Sequence, residues 1–163
     1  MAIKLKPDYA WAHNNLGIIL SAERKIEEAI SHYKMAIKIK PDYAEAHYNL
    51  GSALLNKERT SEAISHYKMA IKIKPDFALA HNNLGIALFP IKKTEEAISH
   101  YKMAIKLKPD YAKAYNNLGS ALVAEGKNEE AISHYKIAIK IKPDYALAQK
   151  NLEKVLLRSE ELE

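Results

Sequence analysis

Small and apolar residues recur along this chain at helical spacing. Ala12, His13, Leu16, Gly17 and Leu20 fall at the intervals that place them on one face of a helix. Ala29, Ile30, Tyr33, Ala36 and Ile37 mark the face of a second helix. The two-helix pattern then returns, because prolines stand at 7, 41, 75, 109 and 143, each 34 residues after the last. A fixed period of this length means one supersecondary unit copied and stacked. The spacing therefore predicts an all-α solenoid of antiparallel helix pairs, with units at 7–40, 41–74, 75–108 and 109–142. Residues 143–163 are expected to form a C-terminal capping helix, with a polar Glu153 where the earlier units carry glycine. Residues 1–6 repeat the end of a second helix and read as the tail of a preceding, truncated unit. No linker or shift of composition interrupts the pattern, so 1–163 reads as one domain.

Local signals predict the helix ends. Proline is excluded from helix interiors and aspartate caps helix N-termini, so Asp8, Asp42, Asp76, Asp110 and Asp144 are expected to cap the first helices. Thr60, Thr94 and Asn128 are expected to cap the second ones. Pro90 should end its helix about a turn early and leave Phe89 exposed.

The recurring set Leu16, Gly17, Ala29, Tyr33, Ala36 and Pro41, with its equivalents down the chain, resembles the tetratricopeptide (TPR) signature. One departure is that His13, His47 and His81 occupy the site of the family's usual large aromatic residue, which only Tyr115 retains. The resemblance implies a right-handed superhelix whose first helices line a concave groove. Such a groove receives an extended peptide or a partner's helix.

Composition narrows the field of functions. The chain has no cysteine, which removes disulfides, thiolate metal sites and thiol nucleophiles and fits a reducing, cytoplasmic setting. No apolar run approaches the roughly 20 residues of a membrane span, so no membrane association is expected. The net charge of +5 comes largely from lysines repeated near the ends of the second helices, where they complement the helix dipole. Acidic residues at the opposite helix ends balance much of it, and no aromatics interleave to stack bases, so nucleic acid is not the expected partner. Nothing in the chain sets a nucleophile, a base and an oxyanion donor at working spacing, and no enzyme activity or cofactor is expected. None of the seven histidines has the i, i+4 partner that would put two imidazoles on one metal within a helix. They are expected to be hydrogen-bonded or partly buried, with no metal site.

The candidate binding residues are those that vary while the packing positions stay constant. A helical wheel directs Trp11, Asn14 and Ile18 away from Leu16 and Leu20. Down the array the corresponding positions include Tyr48 and Ser52, Asn82 and Ile86, and Lys113, Asn116 and Ser120. On the flank of this face an asparagine recurs in every unit, at Asn15, Asn49, Asn83 and Asn117, and again at Asn151. An amide offers both donor and acceptor, so such a row can clasp a peptide backbone without reading its side chains. The row also resembles the asparagine ladder in the TPR region of O-linked N-acetylglucosamine transferases. The reading is a non-catalytic scaffold that binds a protein or peptide in the groove. Two alternatives are self-assembly through incomplete end units and a substrate-selecting region cut from a larger glycosyltransferase-like enzyme.

Overall fold

The computed structural model describes residues 7–160, with side chains for 9–158, so the reading of 1–6 lies outside the described residues. Helices follow one another with no strand among the described residues: α1 (Pro7–Ala22), α2 (Ile26–Ile39), α3 (Ala44–Asn56), α4 (Thr60–Ile73) and α5 (Ala78–Leu88). After a single turn of 3₁₀ helix at Phe89–Ile91 come α6 (Thr94–Leu107), α7 (Ala112–Ala124), α8 (Asn128–Ile141) and α9 (Ala146–Glu160). The architecture is an all-α helical solenoid. The chain divides into two compact units, 1–83 and 84–163, with the division falling inside α5.

In the first unit α1 packs on α2, α3 on α4, and α2 on α3. In the second, α7 packs on α6 and α8, and α8 packs on α9. Each helix pair closes on the same contact. A β-carbon added at Gly51 would stand 2.9 Å from the Tyr67 ring, and one at Gly119 would stand 2.7 Å from the Tyr135 ring. Gly17 meets Tyr33 and Gly85 meets Tyr101 in the same way. The helical glycine forgoes about 1 kcal/mol of helix propensity relative to alanine so that a buried tyrosine can lie against bare backbone. Alanines on the second helices, such as Ala63, Ala70, Ala131 and Ala138, are wholly buried and keep the helices close.

The helix ends differ from expectation. Asp42 lies in the turn before α3, whose N-terminal boundary residue is Tyr43, and no side chain caps that helix. Thr60, Thr94 and Asn128 are the first helical residues of α4, α6 and α8, preceded by Arg59, Lys93 and Lys127 without side-chain caps. For the second helices the reason is the tight turn between paired helices, in which Arg24, Glu58, Lys92 and Gly126 adopt positive φ and set the entry of the next helix through the backbone, whereas α3 is entered through extended backbone at Tyr43. Acidic residues in the first turn, such as Glu27 and Glu28 of α2, then face the positive end of the dipole. Pro90 acts as expected: α5 stops at Leu88 and hands over to the 3₁₀ turn. Phe89, however, is half-buried rather than exposed.

Candidate functional site

The first helices place Trp11, Ile18, Ile86 and Lys113 at the surface, with Tyr48, Ser52 and Ser120 half-buried. Trp11 is 64% exposed and Ile18 46%, consistent with a face that packing does not use. Tyr48 is held firmly, its ring 5.0 Å from that of Phe77 and 6.0 Å from that of Tyr67.

The asparagines need a correction. Asn14, Asn82 and Asn116 were expected to point away from the core, yet they are only 4%, 2% and 2% exposed. The wheel considered one helix, whereas the first helix of the next repeat also packs against that side, as α3 does on α1 and α9 on α7. These amides serve as partners for the flanking row. Asn49 Nδ2 donates to Asn14 Oδ1 at 2.9 Å, and Asn151 Nδ2 donates to Asn116 Oδ1 at 3.0 Å. Asn82 donates to Asn83 Oδ1, and Asn116 to Asn117 Oδ1. Asn83 Nδ2 reaches the Tyr48 hydroxyl at 3.3 Å and Ser52 Oγ at 3.5 Å. Asn15, Asn49, Asn83 and Asn117 are all half-buried, so the row lies at the flank with much of its donor capacity spent on neighbouring repeats.

A cleft opens beside this row. In the first unit it has a volume of about 340 Å³, with Ile18, Ser21, Tyr33, Asn49, Ser52 and Asn56 among its lining residues. In the second unit a cleft of about 160 Å³ is lined by Ser120, Val123, Tyr135, Asn151, Lys154 and Arg158. These are the same positions three repeats later. Sequence reasoning overlooked Ser21, Lys154 and Arg158 as lining residues; carrying the 34-residue register into the last helix would have aligned Lys154 with Ser52 and Arg158 with Asn56. Each cleft floor carries a hydroxyl pair, Ser21 with Tyr33 at 3.3 Å and Ser120 with Tyr135 at 3.2 Å. Burial raises the Tyr33 and Tyr135 phenols above their ordinary range, against the pull of those serines, so both hydroxyls stay protonated.

The histidines pair across the helices of one repeat, which their spacing within a helix did not reveal. His13 Nδ1 lies 2.9 Å from His32 Nδ1, and His47 Nδ1 lies 3.0 Å from His66 Nδ1. His47 Nε2 also faces the Pro41 carbonyl at 3.1 Å, so it carries the proton. The neutral His47 ring therefore accepts at Nδ1 the hydrogen that His66 donates. The ring centroids stand 5.2 Å apart, which sets the two nitrogens edge to edge in a hydrogen bond rather than converging on an ion. Among the described residues no group of three or more histidine, cysteine, aspartate or glutamate side chains could hold a metal. Burial lowers the His47 and His66 imidazoles below their ordinary range.

Paired helices on a 34-residue period, closed by glycine on tyrosine, define a helical-repeat protein. The chain belongs to the tetratricopeptide repeat family: the pattern described as "TPR repeat" matches residues 22–58, 91–126 and 119–159, and that described as "Tetratricopeptide repeat" matches 44–77. A search of curated proteins finds no match. Among solved structures, the crystal structure of MamA protein is similar with a TM-score of 0.82 at 27% identity, over 92% of this chain and 82% of that one. The first TPR of Spaghetti (RPAP3), bound to the HSP90 peptide SRMEEVD, is similar at 0.69 and 28%, over 71% and 91% of the two chains. The pilF protein of Pseudomonas aeruginosa shares the fold at 0.87 and 22%, over 94% and 70%. These matches carry the family and a protein-interaction role, not the narrower likeness to a glycosyltransferase region. No helix among the described residues is long and apolar enough to cross a membrane.

Proposed function

We propose that this chain is a non-catalytic scaffold that takes an extended peptide or a partner's helix along its first helices, with side chains of the ligand entering the clefts. The observation that carries this reading is the recurrence of one cleft at equivalent positions in both compact units, each beside a half-buried asparagine. Tyr48, Ser52, Ser120, Lys113 and the exposed Trp11, Ile18 and Ile86 supply the surface around it. In the asparagine row Asn49 and Asn151 each give one N–H of Nδ2 to the neighbouring repeat, which leaves the second N–H and the carbonyl to meet a ligand's backbone. The peptide-bound TPR of RPAP3 supports the mode of binding in kind.

Panning a random-peptide phage library on the full chain tests the reading. Enriched peptides should lose binding with Ile18→Asp and Tyr48→Ala, and should weaken when Asn49, Asn83 and Asn117 are changed together to alanine with the circular dichroism intact. Binding indifferent to Ile18→Asp and Tyr48→Ala would overturn the face, and indifference to the triple change would remove the asparagines from it.

A second reading has its own observation. Leu16 is 41% exposed where its equivalents Leu50, Leu84 and Leu118 are at most 1%, and Leu156 is 39% exposed where Leu54 and Leu122 are at most 1%. Copies could associate through these faces, and a mass in light scattering that rises with concentration and is abolished by Leu16→Glu or Leu156→Glu would establish it.

A further inference from the structure

Each of the four tyrosines that lie on a helical glycine brings a buried hydroxyl with it, and three of the four find a serine. Tyr33 pairs with Ser21 at 3.3 Å, Tyr67 with Ser52 at 3.2 Å and Tyr135 with Ser120 at 3.2 Å. The serine stands either one or four residues after the glycine. The third repeat has it at neither place, because Ile86 and Phe89 occupy those positions. Pro90 contributes to this: α5 stops at Leu88, and Phe89 enters the 3₁₀ turn where the second serine position falls. Among the described residues Tyr101 therefore makes no hydrogen bond through its hydroxyl. Burial raises its phenol well above the ordinary range with no hydrogen bond opposing it, so the group keeps its proton and remains a donor.

The seat of the ring gives the direction of that donor. A β-carbon on Gly85 would meet Cε1 of Tyr101 at 2.5 Å, the same atom and distance as for Gly17 against Tyr33. Tyr33 and Tyr135, seated in this way, line the two clefts, so Tyr101 turns its hydroxyl toward the corresponding face of the third repeat. The register sets Ser120 to Tyr101 as Ser52 is set to Tyr33, but Ser120 already accepts from Tyr135 and donates to the Asn116 carbonyl. The rim is apolar, with Ile86 38% exposed and Phe89 half-buried. A donor on a buried ring is costly to leave without a partner, and a ligand acceptor removes that cost.

We propose that the Tyr101 hydroxyl is a ligand-directed donor, which binds a main-chain carbonyl of a peptide lying along the first helices while an adjacent apolar side chain of that peptide rests on Ile86 and Phe89. The proposal depends on the peptide-binding reading above and adds one defined contact to it. A neutral carbonyl suits the place better than an ionised group, since an apolar rim strips water from whatever enters. In the other three repeats the equivalent hydroxyl is engaged by serine, so this contact occurs once and fixes the register of the peptide.

The probe is N-acetyl-leucine N-methylamide, which carries main-chain carbonyls and one apolar side chain. It is titrated into the ¹⁵N-labelled full chain, following the backbone amide of Phe89 for this site and that of Ser21 for the first cleft. Tyr101→Phe should weaken binding at Phe89 about fivefold to tenfold. It should leave the response of Ser21 and the thermal unfolding midpoint unchanged, because the hydroxyl holds nothing within the fold. Tyr67→Phe and Tyr135→Phe, which break bonds to serine, should lower the midpoint instead. Ile86→Thr supplies a hydroxyl where Ser52 stands in the second repeat, and should bind the probe more weakly than the isosteric Ile86→Val. Binding at Phe89 that survives Tyr101→Phe, equal binding by the Thr and Val variants, or a midpoint lowered by Tyr101→Phe overturns the assignment. So does a response at Ser21 with none at Phe89, which leaves the peptide reading standing. If the probe moves neither amide, both readings fall.

Discussion

The second and fourth repeats, 41–74 and 109–142, close their helix pairs with the same groups and diverge at one aromatic site. In both, a glycine admits the tyrosine ring, and the tyrosine hydroxyl donates to a serine at 3.2 Å, Tyr67 to Ser52 and Tyr135 to Ser120. In the second repeat His47 bonds to His66 on one side and to the Pro41 carbonyl on the other. In the fourth, Tyr115 fills the site, its ring 5.9 Å from His134, and the buried Nδ1 of His134 has no hydrogen-bond partner. The difference shows two layers under separate rules. The glycine–tyrosine contact recurs in all four repeats, whereas the imidazole layer is a matched pair in which replacing one member strands the other.

The largest effect should come from the layer the two repeats share. Gly51→Ala and Gly119→Ala force a β-carbon into a tyrosine ring and should each destabilise the fold by about 1–3 kcal/mol, despite alanine's better helix propensity. Urea unfolding measures this, and a neutral result at either site would show that the ring can move aside. Next comes a change that imports the flaw of the fourth repeat into the second. His47→Tyr leaves His66 Nδ1 without its partner and should cost about 1–2 kcal/mol, with the reverse change Tyr115→His recovering about 1 kcal/mol in the fourth.

Acid should separate the repeats as well. The folded pKa of His47 is depressed by burial, and that of His66 by burial and by His47, with Lys34 adding to the depression and Glu62 opposing it. The unfolded chain therefore binds protons that the folded chain refuses. Stability present above the ordinary histidine pKa of about 6.5 is lost as pH falls toward the depressed folded values. Unfolding midpoints between pH 8 and 5 should show this slope, and His66→Gln, which can still donate to His47, should flatten it. The smallest effect belongs to the turns. Glu58 and Gly126 occupy the same turn position at φ 59° and 74°, so Glu58→Gly should stabilise by about 1 kcal/mol, and Gly126→Ala, with open space around it, should lose a similar amount.

Much of the fold was legible because the 34-residue period fixes helix number, pairing and the glycine–tyrosine contact together. Pro90 was readable for a local reason, the missing N–H. The caps were not, since Asp42 and Thr60 have the right chemistry but the positive-φ turn residues and extended entries settle the boundaries through the backbone. The candidate site was half legible. Exposed Trp11 and Ile18 follow from the wheel, which concerns one helix. The burial of Asn14 and the pairing of His47 with His66 depend on a second helix, and a single-helix projection contains no information about that. The resemblance supplied the face on which to look, and the clefts became visible only when three helices were placed together.

The glycine, the tyrosine it admits and the paired histidines of 13 and 32 or 47 and 66 all lie within one 34-residue unit. A tandem duplication of this length therefore copies a finished solution rather than half of one, and the new copy needs no compensating change elsewhere to close its own helices. Lengthening such an array is a one-step genetic event, and divergence can begin afterwards at positions like Asn56 and Lys154, which line the clefts and take no part in the contact between paired helices.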